Sequence, residues 1–145
     1  MSQGPQLRVN QQALYQSLVD AKFDDLKITL SALFSSIPYN NYANKIIANY
    51  EGYYASVVYT YLASLGLPMV AEDVTNKGRI DLTLHFPDKI FIIEFKVDQA
   101  EKALAQIKAK NYQEKYLNQG KAIYLLGINF SSVEKNISDF EWQAV

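Results

Sequence analysis

Two charged residues in a very hydrophobic segment are the first sign of chemistry in this sequence. Glu94 and Lys96 lie two positions apart within residues 90–97, which read IFIIEFKV. Residues two apart in a β-strand share a face, so the carboxylate and the amine would stand side by side. Charged side chains are rarely buried unless they are paired or bind a metal. The segment is therefore either a functional strand or an amphipathic edge strand whose polar face is solvated.

A second carboxylate favours the functional interpretation. Residues 79–86, RIDLTLHF, alternate as a strand, with Ile80 and Leu82 on one face and Asp81 on the other. If Pro87-Asp88 forms a two-residue hairpin loop, Asp81 pairs with Glu94, with their Cβ atoms about 4.5–5.5 Å apart. Like charges at that distance repel, so the sheet either tolerates strain there or holds a cation. A hard ion such as Mg²⁺ or Mn²⁺ would remove the repulsion.

A third carboxylate, Glu51, belongs to the apolar stripe of a predicted helix. Tyr54, Val58, Leu62 and Leu65 continue that stripe at helical spacing, which predicts that Glu51 points into the protein. A glutamate in the first turn of a helix also interacts favourably with the helix dipole, and it can reach solvent at the boundary. Glu51 therefore supports a site without identifying one.

Hydrophobic periodicity predicts the elements that must position these residues. Helical spacing covers residues 11–35, as one long or two short helices, and again residues 42–65 and 98–117. Alternating or continuous apolar runs predict strands at residues 67–75, 79–86, 89–97 and 122–128, and an edge strand in the tail at 133–142. The predicted fold class is α/β, with N-terminal helices followed by β-β-β-α-β and a small mixed sheet flanked by helices. The strand-helix-strand connection from 89 to 128 should be a right-handed crossover.

Composition limits the function further. The chain has 145 residues, a formal net charge of -1 and no cysteine. This length predicts one domain, and the absence of cysteine excludes disulfides and thiolate zinc sites. The N-terminal residues do not read as a secretory signal, and no apolar run approaches the roughly 18 residues that span a bilayer. We therefore expect a cytoplasmic protein without a membrane role.

The residues resemble those of a known group of enzymes. The tetrapeptides at 78–81, GRID, and at 93–96, IEFK, with the Glu51 helix before them and a helix and strand after them, look like the PD-(D/E)xK nuclease superfamily. The likeness covers about residues 33–130 and is greatest to the branch found as the C-terminal domain of AAA-ATPase-like bacterial proteins. It implies a restriction-endonuclease-like core at residues 42–130, with a helical extension at 1–41 and a tail at 131–145.

The resemblance also implies roles for individual residues. Asp81 and Glu94 would hold the metal, Mg²⁺ or Mn²⁺, and Glu51 would complete the site. Lys96 would assist the nucleophilic water. A polar residue on the following helix often contributes in this superfamily, and here it would be Gln106 or Tyr112. The implied activity is cleavage of DNA, with nucleic acid as the main partner and an ATPase domain or subunit as a second one.

Two alternatives remain open at this stage. The chain has a net charge of -1 and no strong basic stripe, whereas tight binding to a phosphate backbone usually needs several lysine or arginine contacts. This favours a catalytically silent, nuclease-like module that binds or regulates an ATPase partner. The other alternative is an α/β domain whose acidic pair is only a solvated face. The segment from Lys96 to Lys121 contains six lysines and three acidic residues. Tyr112 and Tyr116 lie in the same segment and could either stack on bases or pack in the core. The lone histidine, His85, is interpreted as a boundary residue outside the site.

Overall fold

The structure is a computed structural model that describes residues 5–37 and 51–145, with only the backbone described for residues 5–10 and Glu51. Helices cover both faces of a five-stranded sheet. The helices are α1 (Pro5–Val19), α2 (Phe23–Ser35), α3 (Glu51–Ala63), α4 (Ala103–Lys110) and a 3₁₀ helix (Tyr112–Gln119). The strands are β1 (Met69–Thr75), β2 (Gly78–His85), β3 (Lys89–Val97), β4 (Ala122–Ser131) and β5 (Asn136–Ala144).

The first helical region forms two short helices. A turn at residues 20–22 separates α1 from α2, and Ala21 there has a left-handed φ of 51°. The amides of Ala21 and Lys22 donate to the carbonyls of Leu18 and Ser17, which is the hydrogen-bond pattern of a Schellman cap. The cap satisfies the last carbonyls of α1 and turns the chain back, so that α2 packs against α1.

The sheet has the strand order β1-β2-β3-β4-β5, and only the β3–β4 pairing is parallel. The turn at 87–88 sets the expected register, since Leu82 lies opposite Ile93 and His85 opposite Ile90. The tail forms β5 at the edge of the sheet, antiparallel to β4. The predicted fold class, a mixed α/β sheet flanked by helices and consistent with a restriction-endonuclease-like core, is confirmed.

The connection from β3 to β4 differs from its prediction. The pattern over residues 98–117 predicted one helix, but α4 ends at Lys110 and the 3₁₀ helix begins at Tyr112. Asn111 separates them with a left-handed φ of 50°, a conformation that asparagine tolerates better than most residues. The single-helix prediction is therefore wrong, while the handedness of the crossover stays a prediction.

The sheet separates two hydrophobic clusters. The larger one lies between the sheet and the three N-terminal helices α1, α2 and α3, and the smaller one lies under α4 and the 3₁₀ helix. Every residue of β3 is buried, because its two faces contribute to different clusters. This burial places the central strand, with its two charged residues, between layers of helix.

Two residues of β4 hold α4 against the sheet. Gly127 pairs with Glu94 in the β3–β4 register, and a Cβ on Gly127 would lie 2.1 Å from the backbone nitrogen of Leu104. Asn129 accepts a hydrogen bond from the amide of Ala103 at 2.9 Å and donates one to the carbonyl of Glu101 at 3.0 Å. Because glycine allows this close approach, the start of α4 lies directly beside the acidic position of β3.

Within the described residues, no helix is long and apolar enough to cross a membrane. The location of the protein in the cell and the boundaries of the domain stay predictions.

Candidate functional site

The β2–β3 ladder opens where the two candidate metal ligands meet. The regular register ends with Leu82 opposite Ile93, one step before Asp81 and Glu94. The amide of Asp81 donates to Oε1 of Glu94 at 3.1 Å, and the amide of Phe95 donates to Oδ2 of Asp81 at 2.9 Å. Each carboxylate thus accepts a backbone N–H from the opposite strand. The structure brings these two predicted residues together.

The predicted alternation of β2 breaks at Asp81. Ile80 was expected on the face of Leu82, but it packs in the smaller cluster, whereas Leu82 packs in the larger one. This expectation is wrong, and the backbone of the neighbouring strand β1 is irregular at the same place. Glu72, which lies opposite Asp81 between two regular stretches of the β1–β2 register, has a left-handed φ of 53°. The irregularity interrupts the ladder on both sides of Asp81.

Glu94 is buried, with 2% of its surface exposed. Gln106 of α4 donates to Oε2 of Glu94 at 3.3 Å. Burial raises the pKa of the Tyr112 phenol, and the nearby charges of Glu94 and Asp81 raise it further, against a hydrogen bond with Gln106 that lowers it. Both predicted auxiliary residues therefore lie beside the acidic pair, although Tyr112 belongs to the 3₁₀ helix and Gln106 to α4.

Lys96 is also buried, and its amine has two partners in the loop before α4. Its Nζ donates to Oε1 of Gln99 at 3.3 Å and lies 3.8 Å from Oε2 of Glu101. Glu101 is largely exposed, so the Lys96 amine lies close to the protein surface at the end of β3. The Lys96 side chain therefore shares the face of Glu94, but its amine is directed toward the loop that leads into α4.

Glu51 is the first residue of α3, and its side chain lies outside the described residues. The other residues of its predicted stripe pack in the larger cluster, where Tyr54, Val58 and Leu62 are fully buried and Leu65 is partly buried. Burial of this stripe orients α3, but the role predicted for the Glu51 carboxylate stays a prediction.

A cavity of about 550 Å³ adjoins Asp81. It lies between α3 and the irregular part of β1 and β2. Its lining residues are Gly52, Ala55, Ser56, Tyr59, Thr60, Ala71, Glu72, Asp81, Leu82 and Phe95. The cavity was not predicted from the sequence, although the small residues at helical spacing in α3 were a signal for it.

A second polar cluster, also missed from the sequence, surrounds Asp73 of β1. Its buried carboxylate accepts hydrogen bonds from Lys115, Tyr116 and Thr83, the last at 3.0 Å. Burial by itself would raise the pKa of Asp73, but these hydrogen bonds outweigh it and hold the pKa below the usual value. Burial and the bond to Asp73 raise the pKa of Tyr116 to about 12. The cluster fastens the 3₁₀ helix to the sheet.

His85 lies at the edge of this cluster, 2.9 Å from the Thr83 hydroxyl and packed against Tyr116. Burial lowers its pKa, more than the charge of Asp73 raises it. The interpretation of His85 as lying apart from the acidic pair agrees with this position.

The tyrosines and several lysines of residues 96–121, which the sequence offered as possible contacts to nucleic acid, have other partners in the structure. Tyr112 and Tyr116 are almost fully buried, so they pack in the core and do not stack on bases. Three of the six lysines form ion pairs with acids, namely Lys96 with Glu101, Lys102 with Asp139 and Lys115 with Asp73. The local surplus of lysines is therefore partly neutralised within the fold.

The sequence model of the PD-(D/E)XK nuclease superfamily matches residues 49–140, which include β1 to β4 and both carboxylates of the opened ladder. The chain belongs to this superfamily. Membership supports a nuclease-like function and an association with nucleic acid, and nucleases of this superfamily typically use divalent metal ions.

The chain is also similar to one curated protein, over more of its length than the superfamily model covers. An uncharacterized protein from the 5′ region of vnfD in Azotobacter chroococcum mcd 1 is 44% identical over 130 residues. The match covers 88% of this chain and 25% of the relative, so the chain spans about a quarter of the length of that protein. No solved structure matches the chain.

The donor set of the opened ladder fits a hard divalent cation. Magnesium is usually held by one or two carboxylates, with waters and substrate phosphates completing the shell. An ionised carboxylate has about four lone-pair positions, so one or two N–H donors leave room for a cation. Within residues 5–37 and 51–145, no three histidine or acidic side chains converge, and the described part of the site is therefore the pair Asp81 and Glu94.

Proposed function

We propose that this protein is a metal-dependent nuclease that hydrolyses phosphodiester bonds in DNA. The observation that carries the proposal is the reciprocal hydrogen bonding of Asp81 and Glu94, which holds two carboxylates together at a break in the sheet. Two anions on neighbouring positions repel each other, and a divalent cation offsets that repulsion. Membership of the nuclease superfamily supports this use of the pair.

In this proposal, Asp81 and Glu94 bind Mg²⁺ or Mn²⁺, and Glu51 contributes a further carboxylate. When bound, the ion acts as a Lewis acid toward the phosphate that is cleaved. Gln106 orients the Glu94 carboxylate through the bond to Oε2. Lys96 lies on the same strand and orients the attacking water or stabilises negative charge on the phosphate, after its amine leaves Gln99 and Glu101.

The test uses amide variants that keep the hydrogen bonds and remove the charges. In Asp81→Asn and Glu94→Gln, the side-chain oxygen can still accept the backbone N–H, so the fold should persist. We expect nicking of DNA by the wild type in Mg²⁺ or Mn²⁺, and a loss of about 100-fold or more in either variant. Glu114→Gln, an exposed acid of the 3₁₀ helix, is the matched control and should cleave normally.

Calorimetric titration with Mn²⁺ gives an independent readout. Binding heat that disappears in both amide variants supports the site. If the wild type shows neither divalent-dependent cleavage of any nucleic acid nor Mn²⁺ binding, the nuclease proposal fails.

A second candidate is a catalytically silent module that binds or regulates an ATPase domain or subunit. The pairing of the Lys96 amine with Glu101 favours it, because a lysine held in an ion pair is less available to a phosphate. The match to only a quarter of a longer relative is compatible with further domains in such proteins. Binding of Mn²⁺ without cleavage of any nucleic acid would favour this candidate.

A further inference from the structure

The cavity beside Asp81 results from the sequence of α3. Gly52, Ala55, Ser56, Tyr59 and Thr60 follow one another at steps of three and one, so they form a single stripe along the helix. The first three are small and leave space between α3 and the sheet, while Tyr59, a residue that is 42% exposed, bounds that space. At about 550 Å³ the cavity falls within the range of roughly 300–1,000 Å³ that is typical of pockets for small organic groups.

The charges of the cavity wall disfavour a phosphate inside the cavity itself. The described lining contains two charged side chains, Asp81 and Glu72, and both are acidic. An anion inside would meet two like charges. Arg79 lies outside the lining, where its guanidinium is 3.5 Å from Oε1 of Glu72 and its side chain is 66% exposed. A cation at the rim and acids in the wall suit a ligand with two parts. The part inside the cavity is neutral, and it is attached to an anionic chain that stays outside the cavity.

The remaining wall suits a flat aromatic occupant. Tyr59 presents its ring, Leu82 and Phe95 are apolar, and the Ser56 hydroxyl adds a polar group. Base–aromatic stacking works with every base, because each base has a π-face. The Glu72 backbone, with its left-handed φ of 53°, adds to the argument, since strained non-glycine residues concentrate at ligand sites.

We infer that this cavity takes one unpaired nucleobase of the substrate strand, stacked on Tyr59 next to the phosphate that is cleaved at Asp81. The inference rests on the proposed nuclease function and deepens it, because it names the substrate class. The substrate is a single strand, or a duplex with an unpaired base at the cleavage position. A fully paired duplex must first release a base, which costs unstacking and unpairing energy.

The experiment measures base entry separately from cleavage. A short DNA strand carries a fluorescent adenine analogue at successive positions and is titrated against the Glu94→Gln protein, so that the strand stays intact. We expect the fluorescence to change when the analogue occupies one position of a single strand, and not in the matching duplex. Ser56→Leu fills the cavity and should remove the change. Tyr59→Ala should weaken binding by about tenfold, the effect of losing one stacked base.

Ala63→Leu is the control, because Ala63 is exposed on the same helix outside the cavity wall. It should leave both the fluorescence change and the affinity as they are in the Glu94→Gln protein. The inference is overturned if Ser56→Leu and Ala63→Leu behave alike, or if single and double strands give the same signal. If the fluorescence change occurs but the wild-type protein cleaves no nucleic acid, the nuclease proposal fails and the base site stands.

Discussion

At Asp81 and Glu94, side-chain hydrogen bonds take the place of a backbone pair between β2 and β3. The amide of Asp81 donates to the Glu94 carboxylate at 3.1 Å, and the Asp81 carboxylate accepts the amide of Phe95 at 2.9 Å. Backbone groups that would be unsatisfied at the break are therefore hydrogen-bonded. The same bonds fix the orientation of both carboxylates before any ligand arrives.

Lys96 should affect catalysis without affecting cation binding. Replacing it in Lys96→Met keeps a long apolar stem in a buried position and removes the amine. We expect DNA cleavage to fall by about 100- to 1,000-fold, because a group that stabilises developing charge is lost. The calorimetric affinity for Mn²⁺ should stay at the wild-type value. Lys102→Met, at a half-exposed lysine paired with Asp139, is the control. A loss of Mn²⁺ binding in Lys96→Met would contradict this role.

Gln106 should act through Glu94. The variant Gln106→Leu removes the donor to Oε2 of Glu94, which leaves the carboxylate less firmly oriented. Loss of such a partner typically lowers metal affinity or activity by about 10- to 100-fold. Mn²⁺ titration and a cleavage assay should both show this decrease, while Gln119→Leu, at an exposed position of the 3₁₀ helix, should show none. Equal effects of the two variants would contradict a positioning role.

Gly127 should be intolerant of any side chain. A Cβ in Gly127→Ala would lie 2.1 Å from the nitrogen of Leu104, so α4 must move away from β4. We expect a loss of about 1–3 kcal/mol in the free energy of unfolding, seen as a lower midpoint in a denaturant titration. A Cβ in Gly120→Ala would meet no other atom, and the only strain comes from the left-handed φ of 67°. This variant should therefore lose less free energy of unfolding than Gly127→Ala. A reversed order of the two variants would contradict the close approach of α4.

Asp73 should contribute to stability in a pH-dependent way. Hydrogen bonds from Lys115, Tyr116 and Thr83 hold its pKa below the usual value, so folding favours the ionised form. Its contribution is therefore complete above the unfolded pKa of about 4 and is lost as the pH falls through the lower folded value. Asp73→Asn should lower the free energy of unfolding by about 3 kcal/mol at neutral pH, and by less in acid. Unfolding curves at several pH values measure this, and a pH-independent loss would contradict it.

Local patterns in the sequence were sufficient for much of the fold. Alternation and turn chemistry determined β3, and the two-residue loop at 87–88 determined the register that brings Asp81 next to Glu94, because hairpin register follows from loop length. The same patterns determined the buried stripe of α3 and the mixed sheet flanked by helices.

Other features depended on contacts between segments that are distant along the chain. The switch of Ile80 to the opposite face, the positive φ of Glu72 and the cavity under α3 arise only when α3, β1 and β2 meet. The Asp73 cluster likewise joins β1 to the 3₁₀ helix, 42 residues later at Lys115. Periodicity describes one segment at a time and cannot show which buried polar groups will find partners. The sequence by itself therefore determined the acidic pair and the strands that carry it. Tertiary packing decided what surrounds the pair, since hydrogen bonds and cavities form between elements.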